Sequence, residues 1–124
     1  MNELVKSTSE AQVKKMVGDY LTVARQQGKL LWHRLNSGMT IIQSEQERRV
    51  IKGQEKGCAD FVVMIIELME DDAFSLFRVV YIEVKRPKGG KQSDAQKVFQ
   101  AEVEGLGAEY AIITSYEELE RVLS

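Results

Sequence analysis

A single cysteine, a single proline and a single histidine among 124 residues remove most of the usual ways of stapling a small fold. One thiol, Cys58, excludes an internal disulfide and offers no cysteine cluster for a structural zinc. One imidazole, His33, excludes chemistry that needs two histidines and reads as a strand residue near the surface. Cationic excess is absent as well. The net charge of −2 argues against coating nucleic acid through bulk charge and leaves only a local basic patch open. Long hydrophobic runs are missing: the longest, Phe61 to Ile66, is far too short to cross a bilayer and stops at Glu67. The opening stretch, MNELVKSTSE, is polar and lacks the apolar core of a secretory signal. These absences lead to the expectation of a soluble, cytoplasmic protein with no membrane partner.

What is present fits one domain over residues 1–124, because a 44% hydrophobic content at this length supports one core and not two. Ser7 followed by Glu10 is a capping-box pattern, and Val13, Met16, Val17, Tyr20, Leu21 and Ala24 then recur at helical spacing. The spacing predicts a helix from Thr8 to Gln27, closed by Gly28. Leu30 to Leu35 reads as a short strand, and MTIIQ and RRVIK around SEQE read as a hairpin. Ala59–Leu68 and Phe74–Lys85 are apolar on both faces and joined by a short turn at Met69–Ala73. They are expected to pair antiparallel inside a sheet covered by helices. Ser93 with Gln96 is a second capping box, followed by an apolar stripe of Ala95, Val98, Phe99, Val103 and Leu106 and a natural stop at Gly107. Glu109–Thr114 is a strand reached through a helical crossover, hence parallel to its predecessor. Ser115 with Glu118 caps a last helix, Tyr116–Leu123. The order predicts an α/β sandwich with a central mixed β-sheet flanked by helices.

Glu83 and Lys85 stand where the second long strand ends. Residues two apart on a strand leave the same face, here beside a Gly-rich loop, RPKGG. In an antiparallel hairpin the start of one strand lies beside the end of the other, so Asp60 can approach Glu83. Two carboxylates at a partly buried sheet end need a compensating charge. A hard divalent cation such as Mg²⁺ answers that need, because it takes one or two carboxylates and keeps several waters. Lys85 would then stabilise charge developing on an attacked phosphate. A solvated Glu83–Lys85 ion pair of almost no energetic consequence is the alternative for the same spacing. Glu10 and Gln96 likewise read either as capping partners of Ser7 and Ser93 or as site residues, and the two roles are compatible.

GCAD (Gly57–Asp60), IEVK (Ile82–Lys85) and the downstream Gln96 resemble the PD-(D/E)XK nuclease superfamily, and within it the virus-type replication-repair nuclease (VRR-NUC) branch. Arg34, Asn36, Ser37 and Gly38 match that branch's R-x-N-[ST]-G strand, and Glu10 its early helix glutamate. Gly107–Ala108 and Ser115–Leu119 continue the likeness, which runs from Glu10 to Leu123. Two positions depart from the pattern. Ala59 stands where the branch has proline, which loosens the turn that aims Asp60, and Gln92 stands where it has an apolar residue. The resemblance implies a restriction-endonuclease-like fold and a Mg²⁺- or Mn²⁺-dependent endonuclease. By residue, it implies metal ligation by Asp60, Glu83 and the Val84 carbonyl, catalysis by Lys85, and support from Glu10 and Gln96. It also implies a bacterial or phage-infected host cell as the setting.

Basic residues gather around the proposed site as Lys85, Arg86, Lys88, Lys91 and Lys97, with Arg48, Arg49, Lys52 and Lys56 preceding Asp60. Acidic residues concentrate in Glu67–Asp72 and Glu117–Glu120. This split lets an acidic chain hold a phosphate backbone. Arg34, Asn36, Ser37, Arg86, Lys88 and Lys91 are the expected DNA contacts. No recognition-helix or zinc-finger pattern appears, so binding is expected to follow DNA shape rather than base sequence. Cutting a four-way junction symmetrically needs two sites, and the stand-alone members of the resembled branch are dimeric Holliday-junction resolvases. A homodimeric resolvase is therefore the expected activity. A flap or branched-DNA nuclease, a silent DNA-binding assembly module and a small-molecule enzyme on a similar frame are the other classes.

Overall fold

A computed structural model describes residues 8–35, 39–43, 48–52, 56–68 and 75–124; side chains of 39–43, 48–52, 67–68 and 75–76 are not described. The elements in chain order are α1 (Glu10–Gln26), β1 (Leu31–Arg34), β2 (Met39–Gln43), β3 (Arg48–Lys52), β4 (Phe61–Leu68), β5 (Ser75–Val84), α2 (Asp94–Gly105), β6 (Glu109–Ile113) and α3 (Tyr116–Leu123). The main sheet has four strands in the order β1-β4-β5-β6. β4 pairs antiparallel with both β1 and β5, and β6 joins parallel to β5 after the α2 crossover. The fold is thus mixed α/β. β2 and β3 form the expected hairpin as a separate two-stranded sheet. The Met69–Ala73 turn lies outside the described residues.

The alternation of the strands decides what is buried. Phe61, Val63 and Ile65 of β4 and Val80, Ile82 and Val84 of β5 point to one face. Val13, Val17 and Leu21 of α1 and Leu119 of α3 close over them, with Ile113 of β6, as one core. Full burial of side chains such as Leu21, Phe61 and Ile82 contributes about 1.5–3 kcal/mol each. The opposite face carries α2, whose Phe99 meets Tyr81 and Tyr110 edge-on at 5.3 and 6.2 Å.

Three expectations need correction. The first helix is capped by Ser9 and Gln12, not by Ser7 and Glu10: the Gln12 N–H donates to Ser9 Oγ, and the Ser9 N–H to Gln12 Oε1. The chain offers two overlapping S-x-x-[EQ] patterns, and the later one forms the box. Helices do not fully cover both sheet faces, because Leu31, Ile66 and Phe77 are exposed on the α2 side. On α2, Val103 is buried, but Val98 is exposed and Leu106 is 89% exposed. Helical spacing gives a face its direction, and nothing among the described residues packs over these two side chains. Among the described residues no helix is long and apolar enough to cross a membrane. His33 is exposed, as expected, and Cys58 is buried.

Candidate active site

The loop before β4 places Asp60. Gly57 has φ +89°, and a Cβ there would lie 2.6 Å from the Ala95 backbone, so only glycine lets this loop rest on the first turn of α2. Asp60 sits immediately before β4 and is tied by its backbone on both sides. Its N–H donates to the Ile82 carbonyl at 2.9 Å, and its own carbonyl accepts from the Leu35 N–H at 2.8 Å. Phe61 opposite Ile82 is the first pair of the β4–β5 register, so Asp60 lies just outside it, beside the end of β5. Its carboxylate is bound on both oxygens. Oδ2 accepts the Val84 N–H at 2.7 Å, and Oδ1 lies 3.2 Å from Lys14 Nζ.

Glu83 is fully buried, the one charged side chain in the interior among the described residues. Its Oε1 accepts from the Tyr110 hydroxyl and, at 3.3 Å, from Gln92 Nε2. Gln92 is steadied by Gln100 Oε1 at 2.8 Å. Burial, then the hydrogen bond to Glu83, raises the Tyr110 phenol well above its ordinary range, so it stays protonated and donates. Glu83 Oε2 has no hydrogen-bond partner. Lys85 Nζ faces it at 3.7 Å, too far for a hydrogen bond. At 0% and 14% side-chain exposure, Glu83 and Lys85 are not a solvated surface pair.

Gln96 forms the expected capping box with Ser93 and also touches Lys85. Its Oε1 accepts the Ser93 N–H at 2.8 Å, its N–H donates to Ser93 Oγ at 3.1 Å, and the same Oε1 accepts from Lys85 Nζ at 3.0 Å. Helix capping and lysine orientation are therefore one device.

Glu10, released from capping, stands between two clefts. One, of about 580 Å³, it shares with Lys85, Arg86, Lys88 and Lys91. The other, of about 450 Å³, it shares with Lys14, Trp32, Arg34 and Phe61. Arg34, Arg86, Lys88 and Lys91 are exposed. Asn36 and Ser37 lie outside the described residues, as do the side chains of Arg48, Arg49 and Lys52. Sequence reasoning missed Tyr110, Gln100 and Lys14. It noticed Gln92 only as a departure from an apolar pattern. Lys14 had one local signal, its place a helical turn after Glu10.

The donor set can be tested against a metal. Among the described residues no group of three or more His, Cys, Asp or Glu side chains forms a metal cage. Mg²⁺ does not need one, since one or two carboxylates with waters suffice. Asp60, beside the end of β5, and the orphaned buried Glu83 Oε2 fit such an ion. No family model matches the chain, and no curated protein or solved structure is significantly similar to it.

Proposed function

We propose that this chain is a Mg²⁺- or Mn²⁺-dependent DNA endonuclease of the VRR-NUC type, with Asp60 and Glu83 as metal ligands and Lys85 as the catalytic cation. One observation carries the reading: a fully buried carboxylate, Glu83, with one oxygen clamped and the other without a hydrogen-bond partner beside Lys85. An unpaired buried carboxylate oxygen is costly unless a ligand uses it. When bound, the cation would supply Lewis-acid polarisation of a phosphodiester oxygen. The chain's own groups do the rest. Tyr110 and Gln92 hold Glu83 in one orientation. Gln96 holds the Lys85 ammonium where charge would develop on the phosphate. The Val84 carbonyl is a further ligand in this reading, and Glu10 faces the cleft that Lys85 lines. Arg34, Arg86, Lys88 and Lys91 hold phosphates on either side of Glu10.

Within this reading the substrate is branched DNA, most simply a four-way junction cut by a homodimer. The exposed apolar side chains Leu31, Ile66 and Phe77 on the α2 side of the sheet support self-association. The test is cleavage of a labelled four-way junction beside linear duplex and flap of matching sequence, with Mg²⁺, Mn²⁺ or chelator, for wild type and Lys85→Ala. Metal-dependent junction cutting that is lost in the variant supports both enzyme and site. Cutting of flaps alone keeps the nuclease and removes the resolvase. A folded protein that binds DNA and cuts none is a silent binding module.

A further inference from the structure

Lys14 projects from α1, one helical turn beyond Glu10, and its ammonium lies 3.2 Å from Asp60 Oδ1. The other oxygen, Oδ2, is committed to the Val84 N–H at 2.7 Å. Oδ1 is therefore the Asp60 oxygen left for a cation, and Lys14 holds it. The contact is shielded from solvent, with side-chain exposures of 27% for Lys14 and 24% for Asp60. Its neighbour on the helix, Lys15, pairs with Asp19 at 2.8 Å, but both of those side chains are largely exposed. A screened surface pair of that kind has little consequence, whereas a partly buried pair keeps more of its Coulomb energy.

An ammonium and a divalent cation cannot share one carboxylate oxygen without strong repulsion. We propose that Lys14 occupies the cation position on Asp60 and competes with the divalent metal for it, so that metal entry requires the Lys14 side chain to leave. The proposal rests on Asp60 being a metal ligand. Lys14 has room to move, because its flexible stem also lines the open cleft shared with Glu10, Trp32 and Arg34. The contact thus sets the metal affinity of the free protein.

The test is Mn²⁺ binding by isothermal titration to the full chain, without DNA, for wild type, Lys14→Met, Lys14→Gln and Lys15→Met. Lys14→Gln leaves Asp60 an amide donor and guards against a folding defect in Lys14→Met. Both Lys14 variants are expected to bind Mn²⁺ about tenfold more tightly than wild type, in the range typical of coupling between ligands. Lys15→Met, which removes the same charge one residue away, is expected to bind as wild type does. Mn²⁺ binding seen only in the Lys14 variants also supports the proposal. Unchanged affinity in both Lys14 variants overturns it and leaves the metal site standing, as does equal tightening in Lys15→Met. Absence of Mn²⁺ binding in every protein overturns it together with the metal-site reading.

Discussion

Tyr110 donates its hydroxyl hydrogen to Glu83 Oε1 from the parallel strand next door. With Gln92 it occupies one oxygen of the buried carboxylate and leaves the other facing Lys85. Tyr110→Phe removes the clamp with little change in shape. The variant is expected to fold normally and to lose about 10–100-fold in metal affinity or cutting rate, the usual cost of removing a group that orients a metal ligand. Mn²⁺ titration beside a thermal melt checks this; unchanged affinity would show that Glu83 needs no such support.

Metal binding to the native state alone must stabilise it. Mn²⁺ at a hundredfold its dissociation constant is expected to add about 2.7 kcal/mol, raising the unfolding midpoint, and chelator should reverse the shift. Glu83→Gln should melt at the same temperature with and without Mn²⁺. A shift that persists in Glu83→Gln would place the ion elsewhere.

Gly57 and Gly28 separate backbone strain from collision. Both have positive φ, at +89° and +75°, but only at Gly57 would a Cβ meet another backbone. Gly28→Ala is expected to cost about 1 kcal/mol from conformation alone. Gly57→Ala should cost about 3 kcal/mol or more, since the loop must also lift from Ala95. Urea unfolding of the two variants gives the comparison, and equal losses would refute it.

The Arg78 guanidinium binds Glu109 at both carboxylate oxygens, each at 2.8 Å, and gives a further hydrogen bond to the Val122 carbonyl at 2.8 Å. The hydrogen bond from Arg78 holds the Glu109 carboxyl below its ordinary value, outweighing partial burial. A depressed carboxyl adds stability that is fully present above the unfolded-state value and is lost as pH falls through the folded-state value. Glu109 is 45% exposed, so the pair is screened and worth less than about 1 kcal/mol. Glu109→Gln should therefore be slightly less stable than wild type at neutral pH, with the gap closing below the ordinary carboxylate range. Urea midpoints at neutral and acid pH measure this, and a gap independent of pH would exclude the pair as its cause.

Much of this protein was determined by neighbouring residues and is legible in the sequence for that reason. Strand alternation, the Ser93–Gln96 box and the E-x-K spacing act within a few residues, and the structure keeps each of them. The first cap shows the limit of local signals, since Ser7–Glu10 and Ser9–Gln12 satisfy the same pattern and only the folded helix distinguishes them. The coverage of the α2 face was beyond the sequence, because periodicity orients Val98 and Leu106 without saying whether another element lies opposite. Only the tertiary structure brings Lys14 to Asp60 and Tyr110 with Gln92 to Glu83. Helix docking makes the first of these contacts, the parallel β5–β6 register the second, and the loop that leads into α2 the third. The carboxylates were readable because they punctuate strands. The groups that govern their charge and orientation were not, because a long polar side chain is placed by the packing of its whole element and not by its neighbours in the chain.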